Sequence, residues 1–167
     1  MKIFVSILLL ASSCYAFPTG APTDSCPTLI PAHPKKGPDG KPTSEIIPVQ
    51  TEPSPYKLEA KVLNCDLVEL TISGEDFKGF MIRAFNKDTD EPVEGKFLET
   101  KGLQTIKCKE DGDTATHVDP SEKNNFVFQW QFPDGCKEDL NVYYKGSIAK
   151  SYSKYWEIES NAVTLKQ

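Results

Sequence analysis

From Tyr56 onward, apolar and polar residues alternate with a period of two. Tyr56, Leu58, Ala60 and Val62 alternate with Lys57, Glu59 and Lys61. Successive side chains of an extended chain point to opposite faces, so this spacing predicts a strand with one buried face. Val68, Leu70 and Ile72 repeat the pattern, closed by Ser73-Gly74. Phe80, Ile82 and Ala84 do so again, with Met81, Arg83 and Phe85 on the opposite face. The strongest example is Phe126, Phe128, Trp130 and Phe132, interleaved with Val127, Gln129 and Gln131. Shorter candidates lie at 96–100, 103–109, 140–144 and 156–165. Turn signals at Asn86 to Asp90, Asp111-Gly112-Asp113 and Pro133-Asp134-Gly135 separate them at the spacing of an all-β sandwich. No stretch sustains an apolar period of 3.6, so the pattern predicts an all-β, antiparallel β-sandwich over 56–167.

The preceding segment is different in kind. Residues 17–55 hold ten of the thirteen prolines. Proline fixes φ and donates no ladder hydrogen bond, so an extended, irregular arm is expected there. Lys35-Lys36-Gly37-Pro38-Asp39-Gly40-Lys41 reads as an exposed turn within it. Cys26 offers a way to pin the arm to the body of the fold.

The first sixteen residues change the picture again. Lys2 precedes an apolar run, Ile3 to Leu10, and small residues follow as far as Ala16. This is the layout of a cleavable signal peptide over 1–16, with the mature chain starting at Phe17. The run is too short to span a bilayer, which takes about 20 residues, and no later stretch is long enough. Secretion to an extracellular compartment is the expectation, with no transmembrane segment.

Removing 1–16 leaves 151 residues, a natural size for one domain. It also removes Lys2, leaving 18 basic against 24 acidic residues and a net charge of −6. That balance argues against nucleic acid as a partner. Of the five cysteines, Cys14 leaves with the signal. Cys26, Cys65, Cys108 and Cys136 remain, an even number that reads as two disulfides with three connectivities open. None of the spacings is C-x-x-C, and no N-x-S/T sequon occurs.

Catalytic patterns are absent. The two histidines, His33 and His117, lie in the arm and in a polar loop, and spacing does not bring them together. Oxidised cysteines are no nucleophiles, and there is no G-x-S-x-G elbow or Gly-rich phosphate loop. Glu110-Asp111-Gly112-Asp113 with Asp119 lacks EF-hand spacing and reads as a solvated hairpin tip. No enzyme activity, cofactor or metal is expected.

A candidate contact surface runs from Tyr143 to Trp156. Tyr144, Tyr152, Tyr155 and Trp156 offer faces that stack on sugar rings, and Lys145, Lys150 and Lys154 offer charges for envelope phosphates. A local basic patch steers docking even on an acidic protein. The same segment also reads as an ordinary half-buried strand with its lysines on the wet side. Lys35, Lys36 and Lys41 form a second, turn-like patch.

At this point specific stretches resemble a known family. They are Phe17-Pro18-Thr19-Gly20-Ala21-Pro22 with Cys26 soon after, and Ile72-Ser73-Gly74 leading to Phe77-Lys78-Gly79-Phe80-Met81-Ile82-Arg83-Ala84. Further on come Cys108 and Thr116-His117 through Phe126-Val127-Phe128-Gln129-Trp130. In order and spacing the chain resembles the reeler (reelin N-terminal) domain family, most closely its small single-domain insect haemolymph defence proteins. The resemblance implies an immunoglobulin-like β-sandwich over 17–167 and a disulfide between Cys26 and Cys108. By elimination Cys65 is then left to Cys136. It further implies a role in innate immunity, with antibacterial activity or haemocyte aggregation, and microbial surface glycans or glycolipids as partners. The alternatives are an extracellular adhesion or matrix module contacting host cell-surface proteins, and a lipid or small-ligand carrier. The large aromatics of the alternating strands point to a filled interior rather than a carrier's void.

Overall fold

The computed structural model describes residues 19–133 and 139–166. The expected signal peptide, 1–16, and Cys136 lie outside the described residues. The arm carries a 3₁₀ turn, Thr23–Ser25, and a hairpin of β1, Pro34–Lys36, and β2, Pro42–Ile46. Then come β3 (Tyr56–Asn64), β4 (Leu67–Gly74), β5 (Gly79–Asn86), β6 (Lys96–Leu98) and β7 (Leu103–Ile106). β8 (Thr114–His117), β9 (Phe126–Gln131), β10 (Leu140–Ser151), β11 (Lys154–Glu159) and β12 (Val163–Leu165) complete the chain.

Two antiparallel sheets face each other. One runs β11-β10-β5-β8-β7, with β12 also pairing to β10; the other runs β3-β4-β9-β6. The alternation explains the second sheet directly. Val68, Leu70 and Ile72 of β4 and Phe128 and Trp130 of β9 are buried, while Lys57, Glu59 and Lys61 of β3 meet solvent. From the first sheet, Phe80, Ile82, Ala84, Tyr144 and Ile148 fill the space between the layers. Rings pack in tilted and edge-on pairs, among them Phe80 with Phe126 at 5.4 Å and Trp130 with Tyr144 at 5.6 Å. The fold is an all-β antiparallel sandwich with a filled interior.

β5 departs from a simple two-period reading. Met81, Arg83 and Phe85 face away from the sandwich core, yet they are buried too. The arm crosses the outer face of this sheet, and Leu29 joins Met81, Phe85 and Tyr143 in a second apolar cluster. The arm is also not wholly irregular. Its exposed turn is the tip of the β1–β2 hairpin, where Gly40 takes φ +75° and Gly37 N–H bonds the Lys41 carbonyl at 2.8 Å.

Two strand expectations change. The strand expected at 140–144 runs to Ser151, because β10 lies between β5 and β11 and is paired along most of its length. Gly146 at its centre allows the close approach: a Cβ there would lie 1.8 Å from the Met81 carbonyl oxygen. The segment 156–165 divides into β11 and β12 around Ser160 and Asn161. There the Asn161 side chain accepts from Ala60 N–H and donates to the Ala60 carbonyl, both at 2.9 Å, tying the two sheets along one edge.

Candidate functional site

The arm is held on the outer sheet face by covalent, polar and aromatic contacts. Cys26 and Cys108, 82 positions apart in sequence, form a disulfide with Cα atoms 5.5 Å apart. In the chain-entropy account such a loop contributes about 4–5 kcal/mol. Cys65 is also disulfide-bonded. Ser147 Oγ donates to the Leu29 carbonyl at 2.6 Å, and Ala21 N–H donates to Thr116 Oγ1 at 2.9 Å.

Beneath the Cys108 anchor sits Asp113, only 2% exposed. Its carboxylate accepts from the N–H groups of Cys108 (2.9 Å), Lys109 (2.8 Å) and Glu110 (3.1 Å), and from Arg83 Nη2 at 2.6 Å. Burial pushes this carboxyl's pKa up, but the three N–H groups and the Arg83 charge outweigh it and hold it below the ordinary value. The acidic hairpin tip is therefore not solvated at Asp113, which is a buried structural clamp. No local pattern signals this, because its partner Arg83 comes from β5. Among the described residues, no group of three or more His, Cys, Asp and Glu could hold a metal ion.

At the other end, the His33 ring stacks on Tyr152 with centroids 4.5 Å apart and planes 7° from parallel. His33 Nδ1 lies 2.8 Å from the Tyr152 carbonyl, and Tyr152 Oη donates to the Pro34 carbonyl at 2.8 Å. Tyr155 donates its hydroxyl to the Ile47 carbonyl, and Gln50 N–H bonds the Tyr155 carbonyl at 3.0 Å. Burial pushes the His33 pKa below its ordinary 6.5, opposed by the bond to Tyr152. The folded arm thus favours neutral imidazole. The stability this contributes is present above pH 6.5 and is lost as pH falls through the window below it. Amide exchange at Ile47 and Gln50, corrected for its intrinsic rate, is expected to be faster at about pH 5 than at about pH 7.5. His33→Phe, which keeps the stack and cannot be protonated, should remove that difference. Equal protection at both values in the wild type would show that His33 does not bias the arm.

Between the arm and the sheet lies a cleft of about 210 Å³. Ala21, Pro22, Pro31 and Ala32 roof it, while Gly79, Phe80, Met81, Ser147 and Ala149 form the floor. His33 and Tyr152 stand beside one part of it, and His117, Lys78 and Pro120 beside another. The two histidines therefore face one cleft, although nothing in their spacing brought them together. His117 is fixed in β8, its Nδ1 3.3 Å from Phe80 N and 3.3 Å from Thr116 Oγ1. Nearby, buried Lys123 donates to the carbonyls of Asp119 (2.9 Å), Ser121 (2.8 Å) and Lys78 (3.3 Å), fixing the loop that carries Pro120.

The seven residues of the sequence-based contact surface do not form one face. Tyr144 is fully buried, edge-on to Trp130 and to Phe97 at 6.3 Å. Trp156 is buried against Tyr56 at 5.6 Å, and Tyr155 lies under the arm. Strand alternation is the reason: Tyr144, Ile148, Trp156 and Ile158 fall on the inner face of β10 and β11. Lys145 lies over the Phe85 ring at 4.2 Å and pairs with Asp90 at 2.5 Å. Lys150 pairs with Glu75. Lys154 and half-buried Tyr152 remain at the β10–β11 turn, where Lys36 joins them with its Nζ 5.3 Å from the Tyr152 ring centre. Of the seven, Tyr152 and Lys154 are left together at this turn, beside the arm hairpin.

The fold and its clamps define the class: a small antiparallel β-sandwich whose outer face is covered by a disulfide-anchored N-terminal arm. Residues 24–167 match the model of the Reeler domain, and the chain belongs to that family. It is 30% identical to Defense protein l(2)34Fc of Drosophila melanogaster, over 93% of this chain and 92% of that relative. It is 29% identical to Ferric-chelate reductase 1 of Homo sapiens over 90% of this chain, but spans only 24% of that longer protein. A crystal structure of the human F-spondin reeler domain covers 68% of this chain and 90% of its own, with 14% identity and a TM-score of 0.47. No helix among the described residues is long and apolar enough to cross a membrane.

Proposed function

We propose that this protein is a secreted innate-immunity defence protein that binds microbial surfaces, its outcome being antibacterial action or haemocyte aggregation. The observation that carries this reading is the likeness to Defense protein l(2)34Fc along nearly the full length of both chains. The apolar run at Ile3 to Leu10 and the disulfide anchoring the arm support release into an oxidising, extracellular fluid. The reading is of a binding protein rather than an enzyme. Asp113 and His33, two groups with shifted pKa values, are engaged in holding the arm.

For binding, Lys36 lies over Tyr152, and Lys150 and Lys154 line a neighbouring groove on the same turn, which they share with Glu75, Asp76 and Glu122. These lysines suit the phosphates of envelope polymers. Changing Lys36, Lys150 and Lys154 together to Glu is expected to weaken retention on bacterial cells about a hundredfold, since each lysine near an anionic surface contributes about 1 kcal/mol. The control Lys57→Glu with Lys61→Glu, on the exposed face of β3, should leave retention unchanged. Undiminished retention of the triple variant, with its fold intact by circular dichroism, would move the contact surface elsewhere.

A further inference from the structure

The cleft under the arm has a use that microbial adhesion does not require. We infer that it is a binding site for the short alkyl chain of an anionic amphiphile. The void is a built feature. Its floor includes Gly79 and Ala149, residues too small to reach the arm, and its roof is held at a distance. On one side Ser147 binds the Leu29 carbonyl at 2.6 Å, and on the other Tyr152 Oη binds the Pro34 carbonyl at 2.8 Å. Pro31 restricts the backbone between these anchors, and Pro22 does so just after the Ala21 anchor on Thr116, so the arm cannot settle into the gap.

Wall chemistry selects the occupant. Ser147 Oγ and His33 Nδ1 already have backbone partners, so the interior offers contact chiefly to apolar groups. Among the described residues no carboxylate lines the cleft, although the chain carries a net charge of −5. Lys78 is the one lysine among the described residues at its edge. Its Nζ is 3.7 Å from Glu122 and both side chains are largely exposed, a pairing that a ligand's anionic head can replace. The volume of about 210 Å³ exceeds the roughly 150 Å³ of an apolar cavity that takes up benzene, so a chain of about seven or eight carbons is of matching size. An apolar tail of that length in the cleft places its head near Lys78.

The test is calorimetric titration of the full-length secreted protein with hexanoate, octanoate, decanoate and dodecanoate below their aggregation concentrations. Affinity is expected to rise about fourfold per methylene and to level off near eight carbons, where the cleft is full. Lys78→Glu should weaken octanoate about tenfold and leave octyl glucoside, which has a neutral head, unchanged. Ala149→Leu should abolish saturable binding by filling the floor. Should that variant fail to fold, methyl spectra of the wild type decide instead. Octanoate is expected to shift Met81, Ala21 and Ala149 and to leave Leu70 in place. Absence of saturable binding, affinity climbing unbroken to dodecanoate, equal octanoate affinity in Lys78→Glu, or shifts centred on Leu70 would each overturn the site. Bacterial retention measured on the same Ala149→Leu protein separates this site from the lysine cluster, because its loss does not predict loss of adhesion.

Discussion

Asp113→Ala is expected to destabilise the fold by about 3–5 kcal/mol in chemical denaturation, the range for breaking a buried ion pair by removing one partner. The carboxylate holds Arg83 at 2.6 Å and three consecutive N–H groups beside the Cys108 anchor. Its removal leaves the Arg83 charge buried without a counter-ion and those donors unsatisfied at once. Asp113→Asn keeps the shape but not the charge and should fall between the two. Because the folded carboxyl sits below its ordinary pKa of 3.8, its contribution is present above that value and is lost as pH falls through the window beneath it. The wild type should therefore lose its advantage over Asp113→Ala in strong acid. A loss under about 1 kcal/mol at neutral pH would mean that Asp113 does not clamp this corner.

Trp130→Ala should cost a similar amount, about 3–5 kcal/mol. Trp130 is fully buried between the sheets, with Tyr144 at 5.6 Å and Phe132 at 6.0 Å. Gly95 lies so close that a Cβ there would fall 2.1 Å from the indole, so the pocket is shaped around this ring. The strand supplies its own control. Val127 lies on the opposite face of β9 and is 48% exposed, and Val127→Ala should change stability by no more than about 0.5 kcal/mol. A thermal midpoint unmoved by Trp130→Ala would show that this face is not the core.

How far the fold could be read from the chain depended on what covers each strand. β3, β4 and β9 have one face in the core and one in water, so their burial follows the alternation of Tyr56 to Val62, Val68 to Ile72 and Phe126 to Phe132. β5 and much of β10 are covered on both faces, by the second sheet and by the arm, and there the pattern blurs. That is why Tyr144 and Trp156 looked like surface aromatics. The alternation of Tyr144, Ile148, Trp156 and Ile158 held the correction, once β10 was allowed to continue past Lys145.

The site was less legible for a plain reason. Its parts come from Gly20 to His33, Lys78 to Met81, His117 to Pro120 and Ser147 to Tyr152, four segments that no local spacing connects. Small residues such as Gly79 and Ala149 carry no chemical signature, and they matter only because a proline-rich arm passes above them. Likewise Asp113 and Arg83 are 30 residues apart in sequence and meet through sheet pairing. The expectation of a filled interior concerned the space between the sheets, whereas the cleft lies outside them.

The measurement that bears most directly on the central claim is binding of the secreted full-length protein to live bacteria and to purified envelope components, titrated with salt. Saturable binding that weakens as ionic strength rises is expected, because exposed lysine charges are screened over about 10 Å at about 0.1 M salt. Binding to no bacterium and to no envelope component, with binding to host cell-surface proteins instead, would contradict it and make the protein an extracellular adhesion module.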